Sequence, residues 1–147
     1  ATLMADYENN LLARCQKRIA GWPDVRIWRM NTGGGEMGDR WVNFGKPGQC
    51  DTSGLLRGGR RVEIELKSPT GRLSKKQILY RNVVLSMGGL WGVARTVDDF
   101  LAILATAGIH EEDQVRRRNA GERFDLESAL DAAQAAMPFM PQRDWKR

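Results

Sequence analysis

Residues 60–67 read Arg-Arg-Val-Glu-Ile-Glu-Leu-Lys, with Val62, Ile64 and Leu66 alternating against Arg61, Glu63, Glu65 and Lys67. Such alternation predicts a β-strand with one buried face, because successive side chains leave a strand on opposite sides. Thr52 to Leu56, followed by the Arg57-Gly58-Gly59 turn, predicts its hairpin partner. Tyr7, Leu11, Cys15 and Ile19 recur every fourth residue and predict an amphipathic helix over 5–20, ended by Gly21-Trp22-Pro23-Asp24. Val25 to Met30 reads as a strand, Thr32 to Arg40 as a polar loop opened by three glycines, and Trp41 to Phe44 as a further short strand. Ser74 is placed to cap a helix over 75–87 that Gly88-Gly89 stops. Leu90 to Arg95 is an apolar strand, and Thr96-Val97-Asp98-Asp99 resembles a capping box opening a helix to Ala107. Beyond Gly108 comes a polar stretch, Glu111 to Arg123, and then a last helical pattern over 126–137.

Helix, three or four strands, helix, strand, helix is the order of a mixed α/β fold with helices flanking a mixed sheet. The 147 residues suffice for one domain with a buried core. We expect that domain over 1–107, with 108–147 as a polar linker and helical appendage. No apolar run approaches the roughly 20 residues of a membrane span, and the first residues lack a basic-then-apolar export pattern. Cys15 and Cys50 are far apart and form no CxxC pair, so reduced thiols in a cytoplasm are expected rather than a disulfide framework or zinc site.

Charge sharpens the picture. The net charge is +5, but residues 1–110 hold 16 Lys and Arg against 10 Asp and Glu, while 111–147 hold 7 against 8. The basic excess therefore lies with the alternating strand and favours a polyanionic partner. On that strand, Lys67 follows Glu65 by two residues and shares its face. Asp51 stands one hairpin upstream and returns to the same sheet end. Two carboxylates suit Mg²⁺ or Mn²⁺, which prefers oxygen ligands and takes few from the protein. Such an ion polarises a phosphate and lowers the pKa of its bound water. Lys67 can orient or deprotonate that water or stabilise the developing charge, and the Leu66 carbonyl can add a ligand. Phosphodiester hydrolysis needs these functions together.

Gly48-Gln49-Cys50-Asp51, the hairpin, Glu65-Leu66-Lys67-Ser68-Pro69 and Ser74-Lys75-Lys76-Gln77 resemble the PD-(D/E)xK nuclease superfamily, most closely its virus-type replication–repair (VRR-NUC) branch. The run from Met87 to Asp99 is similar to the closing strand and helix of that family, and the likeness covers about residues 5–105. The resemblance implies a restriction-endonuclease-like αβββαβ core. It implies metal ligation by Asp51 and Glu65, a catalytic Lys67, support from Gln77 and an acidic contribution from Glu8. It further implies a DNA endonuclease acting on structured DNA such as four-way junctions, working as a homodimer. Cys50 departs from the Pro that commonly precedes the motif Asp, a position that supplies no chemistry. The rival is a non-catalytic DNA-binding or assembly protein on the same fold.

Other residues take plainer roles. Glu63 has the wrong spacing to Lys67 for a ligand and is expected on exposed surface. Gly33 to Gly35 lack the Gly-Lys-Ser/Thr ending of a phosphate loop and read as a mobile loop or a flap over DNA. His110 and Arg116 to Arg118 are expected to be solvated. Most tryptophans are expected in core or interface, with Trp41, beside Arg40, as the candidate for stacking on a base.

Overall fold

A computed structural model describes residues 3–30, 34–43, 46–122 and 126–136. Those residues form a mixed α/β fold: α1 (Leu3–Arg18), β1 (Val25–Arg29), β2 (Gly34–Met37), β3 (Arg40–Asn43), β4 (Thr52–Leu56), β5 (Arg61–Leu66), α2 (Lys75–Ser86), β6 (Leu90–Ala94), α3 (Val97–Thr106), α4 (Glu111–Asn119) and α5 (Leu126–Ala136). The main sheet has the order β1-β4-β5-β6. Its first three strands are antiparallel, and β6 joins β5 in parallel through the α2 crossover.

The alternation of β5 puts Val62, Ile64 and Leu66 into a core with Leu11, Cys15 and Ile19 of α1 and Phe100 and Leu104 of α3. Trp22 and Val25 close the end of that core below α1, both buried. No polar group of β5 enters this face, so its cohesion is burial of apolar area at roughly 25 cal/mol per Å². The helix starts follow their capping residues. Thr96 Oγ1 accepts from the Asp99 amide at 3.0 Å, and the Asp99 carboxylate turns back to the Arg95 amide at 2.9 Å. The acidic substitute in that capping box thus serves the residue before the cap.

The structure departs from the sequence expectations in three places. The stretch expected as a polar loop contains β2, antiparallel to β3 with Gly34 opposite Asn43 and Met37 opposite Arg40. Gly38 at φ +69° makes the turn, so glycines that read as loop formers here allow a short hairpin. Gly33 and Phe44 lie outside the described residues.

Glu111 to Asn119 is a helix whose Gln114 is fully buried. Gln114 Nε2 and Arg117 Nη1 both reach Asp24 Oδ2, at 2.7 and 2.6 Å, and Arg57 Nε takes Asp24 Oδ1 at 2.6 Å. Arg18 pairs with Glu111, and Arg118 donates to the Ala20 carbonyl, so α4 is fastened to the end of α1 and the start of β1. Sequence periodicity missed these long-range pairs because each is polar. His110 is exposed, as expected, at the start of α4. The third departure, Glu63, belongs to the site.

Candidate active site

Register fixes which side chains meet. Ser53 pairs with Glu63 and Thr52 with Ile64, so Asp51, one step before β4, falls opposite Glu65. The amide of Met30 donates to the Asp51 carbonyl at 2.6 Å and extends the ladder to β1. Asp51, Glu65 and Lys67 therefore meet at one sheet end, on the face opposite the α1–α3 core. That face is covered only in part, by α2.

The first turn of α2 sets the orientation of the site. Ser74 Oγ accepts from the Gln77 amide at 3.1 Å, and Gln77 Oε1 accepts from the Ser74 amide at 2.8 Å, a reciprocal capping box. With its oxygen engaged, the Gln77 side chain presents Nε2, which donates to Glu65 Oε1 at 2.9 Å. Lys67 Nζ lies 3.8 Å from the same oxygen. The turn 46–48 reaches this end by a close approach: at Gly48, φ +81°, a Cβ would stand 2.1 Å from the Lys76 carbonyl oxygen. Only glycine permits that contact, which delivers Cys50 and Asp51 beside Glu65.

Electrostatics make the pair unusual. Burial, followed by the neighbouring Asp51 carboxylate, pushes the Glu65 carboxyl up from 4.5 to about 8. Burial also raises Asp51, while Lys67 and Arg29 act in the opposite sense. Two carboxyls within hydrogen-bonding range in a low-dielectric site hold one proton between them. Glu65 Oε2 is buried and has no donor from the protein. A shared proton or a divalent cation satisfies that oxygen. The oxygen-only donor pair suits Mg²⁺ or Mn²⁺ in type and number. Burial likewise drives the Cys50 thiol well above its usual range, with Glu65 and Glu63 adding to the shift, so Cys50 fills space as a neutral thiol.

The remaining sequence candidates fall as follows. Leu66 ends β5 beyond the last residue paired with β4, its side chain in the core. Glu8 is half-buried on α1, between Tyr7, whose hydroxyl donates to the Arg95 carbonyl at 2.5 Å, and Asn9, which accepts from Arg29 at 2.8 Å. No group of three or more His, Cys, Asp or Glu side chains spaced to hold an ion occurs among the described residues.

Glu63 overturns its expected exposure, since its relative exposure is 0%. Its Oε1 accepts from Arg61 Nε at 2.6 Å, Tyr80 Oη at 3.0 Å and Ser53 Oγ at 3.1 Å. The alternation correctly assigned its face. What sequence could not show is that α2 lies over that face and buries it.

Arg95 was also missed. Its Nη1 donates to the carbonyls of Ser68 and Gly71 at 2.6 and 2.7 Å and holds the turn that follows Lys67. Its position after an apolar strand carried no sequence signal.

No protein-family model matches the chain, and no curated protein matches it either.

Proposed function

We propose that the chain is a Mg²⁺- or Mn²⁺-dependent DNA endonuclease of the PD-(D/E)xK type, on a restriction-endonuclease-like core. The observation that carries this reading is the buried Asp51–Glu65 pair, with a raised carboxyl on Glu65, next to Lys67 and the amide of Gln77. A structural ion pair has no need of two carboxyls sharing a proton beside a lysine. A site that exchanges the proton for a cation does.

Asp51 and Glu65 would hold the ion, with the Leu66 carbonyl at the same strand end. When bound, the ion supplies charge neutralisation at the phosphate and a more acidic water. The protein does the rest. Lys67, its side chain only 15% exposed, places an ammonium at the mouth of the pair, where it fixes a water or a phosphoryl oxygen. Gln77 holds Glu65 in one rotamer, so the carboxylate does not swing to Lys67 alone. Arg95 holds the turn after Lys67 and limits where its ammonium can reach. The exposed Arg72, Lys75 and Lys76 beyond this turn offer charge to the DNA backbone. Four-way or otherwise branched DNA as substrate, and a homodimer placing two such sites on opposite strands, complete the proposal.

The test incubates purified protein with linear, flap and four-way-junction DNA in Mg²⁺, Mn²⁺ or EDTA. Cleavage that EDTA abolishes, and that Lys67→Ala loses while still binding DNA, is the expected result. DNA bound and left intact under every metal condition overturns it in favour of a binding protein.

A further inference from the structure

α2 covers β5 and β6 but leaves the β1–β4 half of the same sheet face open. The register defines what that open half presents. Trp28 pairs with Ser53, which pairs with Glu63, which pairs with Trp91, so these four form one row across the sheet. The adjoining row is that of Asp51 and Glu65. Along the strands that row lies two residues, about 7 Å, from Trp28, and across them Asp51 is one strand away and Glu65 two, at about 4.8 Å per strand. Arg26 and Leu55 form the row beyond.

Trp28 is 43% exposed and Leu55 48%, although every other tryptophan whose side chain is described is less accessible. Together with Pro23, Arg26 and Arg57 they line an open hollow of about 420 Å³. Its walls are largely apolar, and its charged groups are the Arg26 and Arg57 guanidiniums and the Asp24 carboxylate. Arg57 pairs with Asp24 at the outer side, and Arg26 donates to the Trp22 and Val25 carbonyls. The two guanidiniums are close enough that Arg57, after burial, disfavours the charge on Arg26.

We infer that this hollow binds an unpaired nucleobase of the DNA strand flanking the scissile phosphate, stacked on the Trp28 indole. An indole face takes any base without reading its sequence. A paired base has both faces occupied by its neighbours and cannot use the platform. The hollow would thus favour strands opened near the cut. This inference rests on the proposed function, but its test does not need cleavage.

The experiment measures binding of fluorescein-labelled single-stranded and duplex oligonucleotides in EDTA, for full-length Lys67→Ala protein with and without Trp28→Ala or Trp28→Phe. Trp28→Ala is expected to weaken single-strand binding roughly tenfold, with Trp28→Phe near the parent and duplex binding unchanged. The dependence on salt should keep its slope, because no phosphate contact is removed. Quenching of tryptophan emission by the single strand should shrink in Trp28→Phe, which reports stacking even if the alanine variant folds poorly. DNA bound with the same affinity and quenching by all variants overturns the platform and leaves the nuclease proposal standing. Absence of any DNA binding overturns both. A change confined to oligomeric state in sedimentation also overturns it, since Trp28 would then contact protein.

Discussion

The two faces of the β1-β4-β5-β6 sheet are built from alternate residues of the same strands, yet they obey opposite rules. Towards α1 and α3 lie Val62, Ile64 and Leu66, packed with Phe100 and Leu104 of α3, all buried and apolar. Towards α2 lie Ser53, Glu63, Glu65 and Lys67, with two carboxyl oxygens, Glu63 Oε2 and Glu65 Oε2, buried without a donor. The first face contributes stability through packing. The second is costly to fold, because a buried acceptor without a partner loses roughly 1–3 kcal/mol of solvation. The proposed chemistry lies on that second face, and the core face carries the stability that permits it.

Breaking either face separates the two roles. The largest effect is expected at the site: Lys67→Ala, Asp51→Asn or Glu65→Gln should lower DNA cleavage by three orders of magnitude or more, on the order of 4 kcal/mol or above in the transition state. The melting temperatures of Asp51→Asn and Glu65→Gln should stay at or above the parent value in EDTA, since each removes a buried charge. Lys67→Ala, which removes the cation beside the pair, should melt no higher than the parent. A nicking assay and a thermal scan on the same preparations check both halves. On the core face, Phe100→Ala should cost about 3–5 kcal/mol of stability, read from urea denaturation, while any protein that remains folded keeps its metal-dependent activity.

Gln77→Ala sits between the faces. It removes the donor to Glu65 and one half of a capping box, so cleavage should drop about tenfold and stability by about 1 kcal/mol. Steady-state rates at saturating DNA and a melting curve measure the two. If Gln77→Ala changes stability alone, the amide is only a cap.

The pH response has the sharpest sign. The Glu65 carboxyl ionises near 4.5 in the unfolded chain and near 8 in the folded one, so between those values the fold holds more protons. Stability supplied by the shared proton is present below pH 4.5 and lost as pH rises through 8. In EDTA the melting temperature should therefore decline from pH 5 to pH 8. Mg²⁺ should raise it more at pH 8 than at pH 5, because the ion displaces the proton. Scanning fluorimetry across that range, with and without Mg²⁺, checks the direction.

The sequence made one face far more legible than the other. Alternation in β5, the four-residue spacing of α1 and the caps at Ser74 and Thr96 located most of the elements, since each is a local pattern. Asp51, Glu65, Lys67 and Gln77 were also readable, and the structure brings all four to one sheet end. What escaped depends on contacts between distant residues. Glu63 looked like Glu65's solvated neighbour because nothing in β5 reveals the helix above it. The Asp24–Gln114–Arg117 cluster joins residues some 90 positions apart through polar groups, which leave no periodic trace. Trp41 was the expected stacking residue because Arg40 adjoins it, and its side chain lies outside the described residues, whereas Trp28 is exposed where α2 stops. Glu8 matched the resemblance by its place on the first helix, where its neighbours Tyr7 and Asn9 contact Arg95 and Arg29.

The amide of Gln77 ties the opening turn of α2 to Glu65, so the two cannot loosen independently. Fraying of that turn frees the carboxylate, and ligation of Glu65 in turn holds the turn closed. Amide hydrogen exchange at Gln77 and Ile78 should accordingly slow when Mg²⁺ is added, far from any bond the ion itself makes. The helix start would then serve as a built-in reporter of whether the site is loaded.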